Sequence, residues 1–174
     1  MKNLITMTAN NFPETKHKRA DLIRMVGSSR CDTALTLNFN RNISIDNARK
    51  MFGQLMREID KSVRGKYFYK VPSDKRVLAF AFPEHTESNI HLHVAIAIGF
   101  TKLGKPKHET ISVIKKGWSE ITKDSGSVCI KETCDNGWAN YITKEYHRSN
   151  HDIILSSDFH PDNQMKKWKD NKAA

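Results

Sequence analysis

The chain has 174 residues, of which 38% are hydrophobic, and it carries a formal net charge of +10 at pH 7. This length suits one domain with a hydrophobic core, and the lack of any run of about 18 apolar residues argues against a membrane span. The excess positive charge favours a polyanionic partner. Since no helix combines a basic face with a bulky apolar face, we expect nucleic acid rather than a membrane.

The three cysteines, Cys31, Cys129 and Cys134, form no CxxC pair, which argues against a disulfide framework and against a cysteine zinc site. We expect reduced thiols. The first segment, MKNLITMTANNFPETKHKR, lacks the apolar core and the cleavage pattern of a signal peptide. We therefore expect a cytoplasmic protein of a prokaryotic host, or a protein of the host nucleus if a eukaryotic virus encodes the chain.

In chain order, the first elements are an arm, a strand and a helix. Residues 1–30 are polar and are interpreted as an N-terminal arm with a short helix around Ala20–Met25. The alternation in DTALTLNFN, 32–40, predicts a strand. Ser44 suits the N-cap of a helix that ends at Gly65. The apolar residues of this helix recur at gaps of three and four: Ile45, Ala48, Phe52, Leu55, Ile59 and Val63.

The middle of the chain predicts a hairpin, followed by a helix, a strand and a helix. KRVLAFAF, 75–82, and NIHLHVAIAIG, 89–99, are typical of two paired strands. After a basic loop, the spacing of Ile111, Ile114, Trp118 and Ile121 marks the second helix. SVCIKE, 127–132, predicts the fourth strand, and WANYITKEYHR predicts the third helix.

The order β-α-β-β-α-β-α predicts a single-domain α+β fold of the split-βαβ kind, ferredoxin- or RRM-like. Its sheet is antiparallel and its helices pack on one face. We assign residues 31–150 to this domain and residues 151–174 to a polar, basic C-terminal tail.

Two histidines interrupt the apolar third strand. His91 and His93 are two residues apart, so they project to the same side, while Leu92 and Val94 face the helices. The imidazoles then lie on the open face, where both can bind one metal ion; two exposed surface histidines are the alternative. The preceding segment offers three candidates for a third ligand, in order of preference Glu84, His85 and Glu87.

The third helix carries a candidate nucleophile. Tyr141 falls at the edge of the side that faces the sheet, Lys144 lies one turn on, and Tyr146 faces the core. A phenolate can attack a phosphodiester and remain attached to the 5′ phosphate. A metal ion can polarise the phosphate, and a lysine can offset the developing charge.

Three motifs in this order carry a family resemblance. LTLNF at 35–39, HLH at 91–93 and YITK at 141–144 resemble the motifs of HUH endonucleases of the rolling-circle replication-initiator (Rep) kind. The resemblance spans roughly residues 32–147 and implies the HUH endonuclease fold.

The resemblance also implies roles for single residues. His91 and His93, with Glu84 as the third ligand, would bind Mg²⁺ or Mn²⁺. Tyr141 would be the nucleophile and Lys144 its helper. The substrate would be single-stranded DNA at an origin hairpin or nick site. Cleavage would leave a 5′-phosphotyrosine and a free 3′-OH before the strand is rejoined.

Basic loops are expected to hold the DNA. The candidates are Arg41, Lys70, Lys102, Lys105 and Lys107. GFTKLGKP, 99–106, imitates the spacing of a P-loop, but Pro106 stands where Ser or Thr would bind Mg²⁺. We therefore expect a separate helicase to unwind the duplex.

Three other interpretations stay open. A single-tyrosine transposase would use the same residues, and so would a relaxase, although relaxases typically have three histidines and an N-terminal tyrosine. An RRM-like binding module would stack bases on Phe39 or Phe82 and would not need a metal ion. A hydrolase with a metal-activated water would cleave without a covalent adduct.

Overall fold

The computed structural model describes residues 12–99, 106–146 and 153–160. In chain order, its elements are α1 (Phe12–Gly27), β1 (Thr33–Asn38), α2 (Ile45–Arg64), β2 (Ala79–Glu84), β3 (His91–Ile96), α3 (Lys107–Thr122), β4 (Ser127–Lys131), α4 (Asn136–Ile142) and β5 (Ile154–Leu155). Short 3₁₀ turns lie at Phe68–Lys70, Ser73–Lys75 and Ser156–Phe159. The strands form one antiparallel sheet with the order β4-β1-β3-β2-β5. The predicted α+β fold with a split-βαβ order is confirmed.

The alternation along β3 divides the core into two layers. Leu92, Val94 and Ile96 point to one face of the sheet and are fully buried beneath α2 and α3. The helices contribute apolar residues at the predicted spacing: Phe52, Leu55, Ile59, Ile114 and Trp118. Ser44 caps α2 as predicted, since its side chain accepts a hydrogen bond from the Asn47 amide at 3.3 Å.

The opposite face of the sheet is covered as well. A smaller apolar layer joins it to α1 and α4: Val26, Phe80, Phe82, Ala95, Ala97, Ala139 and Ile142. Trp138 of α4 donates a hydrogen bond from Nε1 to the Val94 carbonyl at 3.2 Å. The prediction that the helices share one face is therefore wrong, because α1 and α4 pack on the second face. The small side chains of Ala95 and Ala97 leave room for this approach.

The N-terminal helix is longer than the predicted Ala20–Met25 segment and packs on the molecule. Arg19 Nε donates to the Thr143 carbonyl at 3.0 Å, and its Nη2 donates to the Asn140 carbonyl at 3.2 Å. Val26 is only 2% exposed. Residues 18–27 therefore belong to the packed molecule rather than to a free arm.

A fifth strand follows α4, where the sequence predicts only a polar tail. Ile154 pairs with Ala81 of β2, and Leu155 pairs with Phe80. The aromatic ring of Phe159 then packs against that of Phe52 in α2, with ring centroids 6.1 Å apart. Residues 153–160 are thus part of the fold; the rest of the predicted tail lies outside the described residues.

β2 runs through Pro83 to Glu84, whereas the sequence predicts a strand that ends before Glu84. Pro83 pairs with Leu92 of β3. On its other side, β2 pairs with β5 only at Phe80 and Ala81. Among the described residues, Pro83 therefore has no partner on this edge of β2, and its missing N–H costs no hydrogen bond to a described strand.

The three cysteines are free, as predicted. Burial raises the pKa of Cys31 to about 12 and that of Cys134 to about 11, so both remain protonated thiols at neutral pH. Among the described residues, no helix has both the length and the apolar character needed to cross a membrane.

Candidate functional site

Three polar side chains of the β2–β3 hairpin meet on one face of the sheet. The strand register pairs Glu84 with His91 and Phe82 with His93, so these side chains share a face. Glu84 Oε2 lies 2.8 Å from His91 Nε2 and 2.6 Å from His93 Nε2. The structure therefore brings the predicted histidine pair and its preferred third ligand together around one oxygen atom.

The site is enclosed at His93 and more open at His91. The side chains of Glu84 and His93 are each 5% exposed, against 18% for His91. Two rings of α4 pack edge-on against His93, with centroids 5.5 Å away for Trp138 and 5.0 Å away for Tyr141. The predicted open face is wrong at His93, because α4 covers it. A ligand would enter from the His91 side.

Thr36 on β1 contacts the ring nitrogen of His93 that does not face Glu84. Its hydroxyl lies 3.0 Å from His93 Nδ1, and the two residues are paired across β1 and β3. A hydroxyl can either donate to or accept from this ring nitrogen, so Thr36 can stabilise either neutral tautomer. Sequence analysis does not identify Thr36; the cross-strand register of β1 and β3 is the signal that would have found it.

His85 lies beside this cluster at the end of β2. One ligand atom each from Glu84, His85 and His91 lie within 4.8 Å of one another, so the described residues contain a candidate metal-binding group. We take Glu84, His91 and His93 as the inner set, because both imidazoles contact the same carboxylate oxygen. His85 is exposed and is an additional donor at the rim. Glu87, the third choice, is exposed and lies outside this group.

The helix that carries the tyrosine is shorter than predicted. α4 ends at Ile142, and its N-cap is Asp135, whose side chain accepts a hydrogen bond from the Trp138 amide at 2.8 Å. Lys144 and Tyr146 lie in the turn that follows. Tyr146 is half-buried rather than a core residue.

Tyr141 and Lys144 both contact the metal-ligand candidates. The Tyr141 ring stacks on Trp138 with centroids 5.4 Å apart, and its side chain is 44% exposed. Lys144 Nζ lies 2.7 Å from Glu84 Oε1 and 4.0 Å from the centroid of the Tyr141 ring. Lys144 therefore links the carboxylate to the tyrosine, and all five predicted catalytic and metal-site residues form one cluster.

The contacts in this cluster shift three pKa values. Burial raises the pKa of Glu84, but hydrogen bonds from Lys144, His91 and His93 outweigh it and bring the pKa to about 2. Burial lowers the pKa of His93, and the attraction of Glu84 only partly opposes this. For Lys144, burial lowers the pKa, but its contacts with Glu84 and Tyr141 raise it overall.

This donor set fits a divalent cation. Metal ligands must be ionised carboxylates or neutral imidazoles, and these are the forms that the pKa shifts of Glu84 and His93 favour. Each hydrogen bond to Glu84 Oε2 uses an imidazole N–H, so the same nitrogen and oxygen atoms would become ligands once each ring carries its proton on Nδ1 instead. Thr36 and Lys144 supply the outer contacts that orient such ligands.

Of the predicted DNA-binding residues that the structure describes, Arg41 lies at the sheet end that holds this cluster, and Lys70 and Lys107 do not. Arg41 follows β1 at the sheet end where Asn38 pairs with His91. Lys107 lies at the opposite end, where its Nζ donates to the carbonyls of Asp32 and Glu132 at 3.2 and 3.0 Å. Lys70, in the turn after α2, precedes the start of β2 and also lies away from Glu84. Lys102 and Lys105 lie outside the described residues.

The sheet offers no aromatic stacking surface of the RRM kind among the described residues. Phe39 is fully buried, and Phe82 is only 4% exposed. Both rings belong to core layers, Phe39 beneath α2 and α3 and Phe82 beneath α1 and α4. This burial argues against base stacking on the sheet.

No protein-family model, curated protein or solved structure matches this chain. The site geometry and the motif resemblance are therefore the basis for a functional proposal.

Proposed function

We propose that this chain is a metal-dependent endonuclease that nicks and rejoins single-stranded DNA through a 5′-phosphotyrosine intermediate. It would start rolling-circle replication of a plasmid, phage or virus, as HUH replication initiators do. The observation that carries the proposal is the cluster itself. Two imidazoles contact one oxygen of Glu84, and the exposed Tyr141 lies against His93 with ring centroids 5.0 Å apart.

The metal ion would be held by Glu84, His91 and His93, with His85 available at the rim. Two imidazoles and a carboxylate form a mixed nitrogen and oxygen set that accepts Mn²⁺, and the HUH resemblance adds Mg²⁺. When bound, the ion would polarise the scissile phosphate and orient it for in-line attack.

The chemical step belongs to Tyr141. Its phenolic oxygen would attack phosphorus and form a P–O bond, while the bond from phosphorus to the 3′ oxygen breaks. The phenol loses its proton and the departing 3′ oxygen gains one. Attack by the 3′-OH on the phosphotyrosine reverses the step, so rejoining conserves the phosphodiester and needs no nucleotide hydrolysis.

Trp138 and Lys144 would position the nucleophile. The Trp138 ring stacks on Tyr141, which fixes the plane of the phenol. The Lys144 ammonium lies over the same ring and contacts Glu84, so it would offset negative charge on the phenolate and the phosphate. Among the described residues, Lys144 is the cation that contacts both Tyr141 and a ligand candidate.

The DNA strand would approach along the His91 end of the sheet. A groove of about 560 Å³ at this end is lined by Arg41, Lys50 and the start of α2. Asn42, also in its wall, accepts a hydrogen bond from the Asn89 amide at 3.2 Å, which links this groove to the turn before β3. Its two cations suit backbone phosphates. A separate helicase would supply the single strand.

A transposase or a relaxase would use the same chemistry, so the experiment tests the shared step. Wild-type protein is incubated with 3′-labelled single-stranded DNA pools that include hairpins, with Mn²⁺ or with EDTA, and resolved on a denaturing gel. We expect a shifted, protein-linked band that requires Mn²⁺. Tyr141→Phe should reduce the band at least about 10³-fold, since it removes the attacking oxygen.

Tyr146→Phe is the matched control, because it removes the other tyrosine hydroxyl of the same segment, and it should retain the band. Cleavage without a protein-linked band would replace this proposal with a hydrolase that uses activated water. Binding without cleavage or adduct on all substrates would replace it with a binding module.

A further inference from the structure

We propose that Tyr67 and Tyr69 form a second nucleic-acid contact, a platform on which the bases of a single strand stack. It lies at the end of the sheet opposite Glu84, His91 and His93, which we call the metal-ligand cluster. With Lys66 and Lys70, the two tyrosines make up what we call the YFY platform. The inference rests on the proposed function only for the identity of the strand as DNA; the platform itself is argued from its own residues.

Both tyrosines present their rings to solvent. Tyr67 is 55% exposed and Tyr69 is 47% exposed, which makes them two of the four exposed large hydrophobic side chains among the described residues. Their ring centroids are 6.3 Å apart and their planes meet at 69°. Neither tyrosine belongs to a core cluster, and an exposed aromatic pair is the kind of surface on which single-stranded bases stack.

Positive charge surrounds the rings. Lys66 Nζ lies 5.0 Å from the Tyr67 centroid, and Lys70 Nζ lies 5.2 Å from the same centroid and 6.0 Å from that of Tyr69. The same surface therefore offers aromatic faces and ammonium groups. Proteins that bind single strands combine these two features, aromatic rings for the bases and cations for the phosphates.

The platform is held rigidly from below. Arg76 is 2% exposed, and its guanidinium donates to the Tyr69 carbonyl at 2.8 Å and to the Val71 carbonyl at 2.9 Å. The same guanidinium lies 5.8 Å from the centroid of Phe68, the half-buried residue between the two exposed tyrosines. A buried arginine thus fixes the backbone that carries both rings, so binding would not have to order a loose loop.

A groove adjoins the platform. Its volume is about 450 Å³, and Tyr69 lies in its wall. Basic residues outnumber acidic ones in the lining of this groove. The basic residues are Arg57, Lys61, Lys66 and Arg76, and the acidic ones are Glu58 and Asp60. Phosphates that follow stacked bases would lie along this groove.

The length of β2 separates the platform from the metal-ligand cluster. The platform precedes Ala79, where β2 starts, whereas Glu84 ends that strand. Five residue steps of about 3.3 Å separate the two ends of β2 by about 17 Å. A single strand with a rise of about 3.4 Å per nucleotide would need about five nucleotides to cover this distance. The YFY platform would therefore contact DNA flanking the nick rather than the scissile phosphate.

The chemistry of the patch favours nucleic acid over an anionic membrane. The platform has no exposed aliphatic side chain that would enter a bilayer. The segment is a short 3₁₀ turn and not an amphipathic helix.

The test is a binding titration of full-length protein in EDTA, followed by fluorescence anisotropy of labelled dT20. Tyr67→Ala/Tyr69→Ala should weaken binding about 25-fold or more, since each stacked base contributes about fivefold or more. Tyr67→Phe/Tyr69→Phe keeps both rings and should bind within about twofold of wild type. Met25→Ala, which removes an exposed apolar side chain of α1, should leave the affinity unchanged.

Unchanged dT20 affinity in the Tyr67→Ala/Tyr69→Ala protein would overturn the platform, whether or not the wild type forms a covalent adduct. Weakened dT20 binding in a protein that never forms an adduct would keep the platform and reject the nicking activity. A parallel arm uses vesicles of phosphatidylcholine and phosphatidylserine. If Tyr67→Ala/Tyr69→Ala weakened vesicle binding but left the dT20 affinity unchanged, the patch would be a membrane contact and the proposal would be overturned.

Discussion

At the scale of single residues, one oxygen atom, Glu84 Oε2, holds the two histidines of the site together. It accepts hydrogen bonds from His91 and His93, which requires an N–H on each Nε2. Metal binding would instead require a lone pair on these nitrogens, so the proton of His93 would move to Nδ1. The Thr36 hydroxyl, 3.0 Å from Nδ1, can donate in the first state and accept in the second. Thr36 is thus compatible with both states.

This role leads to a prediction for Thr36→Val. The substitution keeps the size of the side chain but removes the partner of Nδ1, and we expect Mn²⁺ to bind about 10- to 100-fold more weakly. The measurement is a thermal-unfolding titration. At about 100 times the dissociation constant, Mn²⁺ should stabilise the wild type by about 2.7 kcal/mol, a rise of about 5–10 °C in the unfolding midpoint.

Two further variants serve as controls for this titration, one that should not respond to Mn²⁺ and one that should respond fully. His91→Ala should show no Mn²⁺-dependent rise in the unfolding midpoint, because it removes a proposed ligand. His108→Ala removes an exposed histidine of α3 and should respond as the wild type does. A Thr36→Val protein with wild-type Mn²⁺ affinity would contradict the role assigned to Thr36.

At the scale of elements, the seven-residue helix α4 positions Tyr141. A helix this short is not stable by itself. It depends on its Asp135 cap and on Arg19 of α1, which donates to the carbonyls of Asn140 and Thr143 at its C-terminal end. The position of Tyr141, the proposed nucleophile, thus depends on contacts outside its own motif.

Two helix caps allow a matched test of this dependence. Asp135→Ala and Ser44→Ala each remove one N-cap hydrogen bond, to the Trp138 and Asn47 amides respectively. Each should lower the free energy of unfolding by about 1 kcal/mol. Only Asp135→Ala should also slow adduct formation, because α4 carries Tyr141 and α2 does not. Chemical denaturation and a single-turnover adduct assay measure the two effects; equal adduct rates would contradict the positioning role of α4.

Elements with strong local patterns were predictable. Those without them were predicted only in part, as α1 was at Ala20–Met25, or not at all, as with β5. The helical spacing of α2 and the two-residue period of β3 give each element one apolar face, and both form as predicted. α1 and β5 lack such a pattern. α1 is largely polar, and β5 contributes only Ile154 and Leu155, so tertiary contacts rather than local sequence determine both.

At the scale of the whole molecule, the sheet is covered on both faces, and this coverage shapes the site. Strand periodicity predicted that His91 and His93 share a face. Glu84 was the preferred of three candidate third ligands, although its strand was predicted to end before it. The sequence did not predict the enclosure of His93. The signal lay in Ala95 and Ala97, whose small side chains on the histidine face allow α4 to approach. Packing between elements distant in sequence decides such coverage, and the small residues of β3 alone do not show which helix packs there.

The net charge of +10 leads to a prediction for the whole molecule. If five phosphates are neutralised, log affinity for a single strand should fall with log salt at a slope of about −3.5. The dissociation constant for dT20 should then rise about 100-fold between 50 and 200 mM KCl. Anisotropy titrations at several salt concentrations measure the slope, with unfolding midpoints as a check on the fold. An affinity independent of salt would contradict a phosphate-based interface.

The central claim is that Tyr141 becomes covalently linked to DNA, and peptide mapping of the adduct tests it most directly. Trypsin cleaves after Lys131, Lys144 and Arg148, so Tyr141 lies in peptide 132–144 and Tyr146 in peptide 145–148. After nuclease digestion of the bound strand, we expect the mass of a nucleotide phosphate on peptide 132–144 and none on peptide 145–148. A nucleotide on peptide 145–148, or on neither peptide in a reaction that cleaves DNA, would contradict the account.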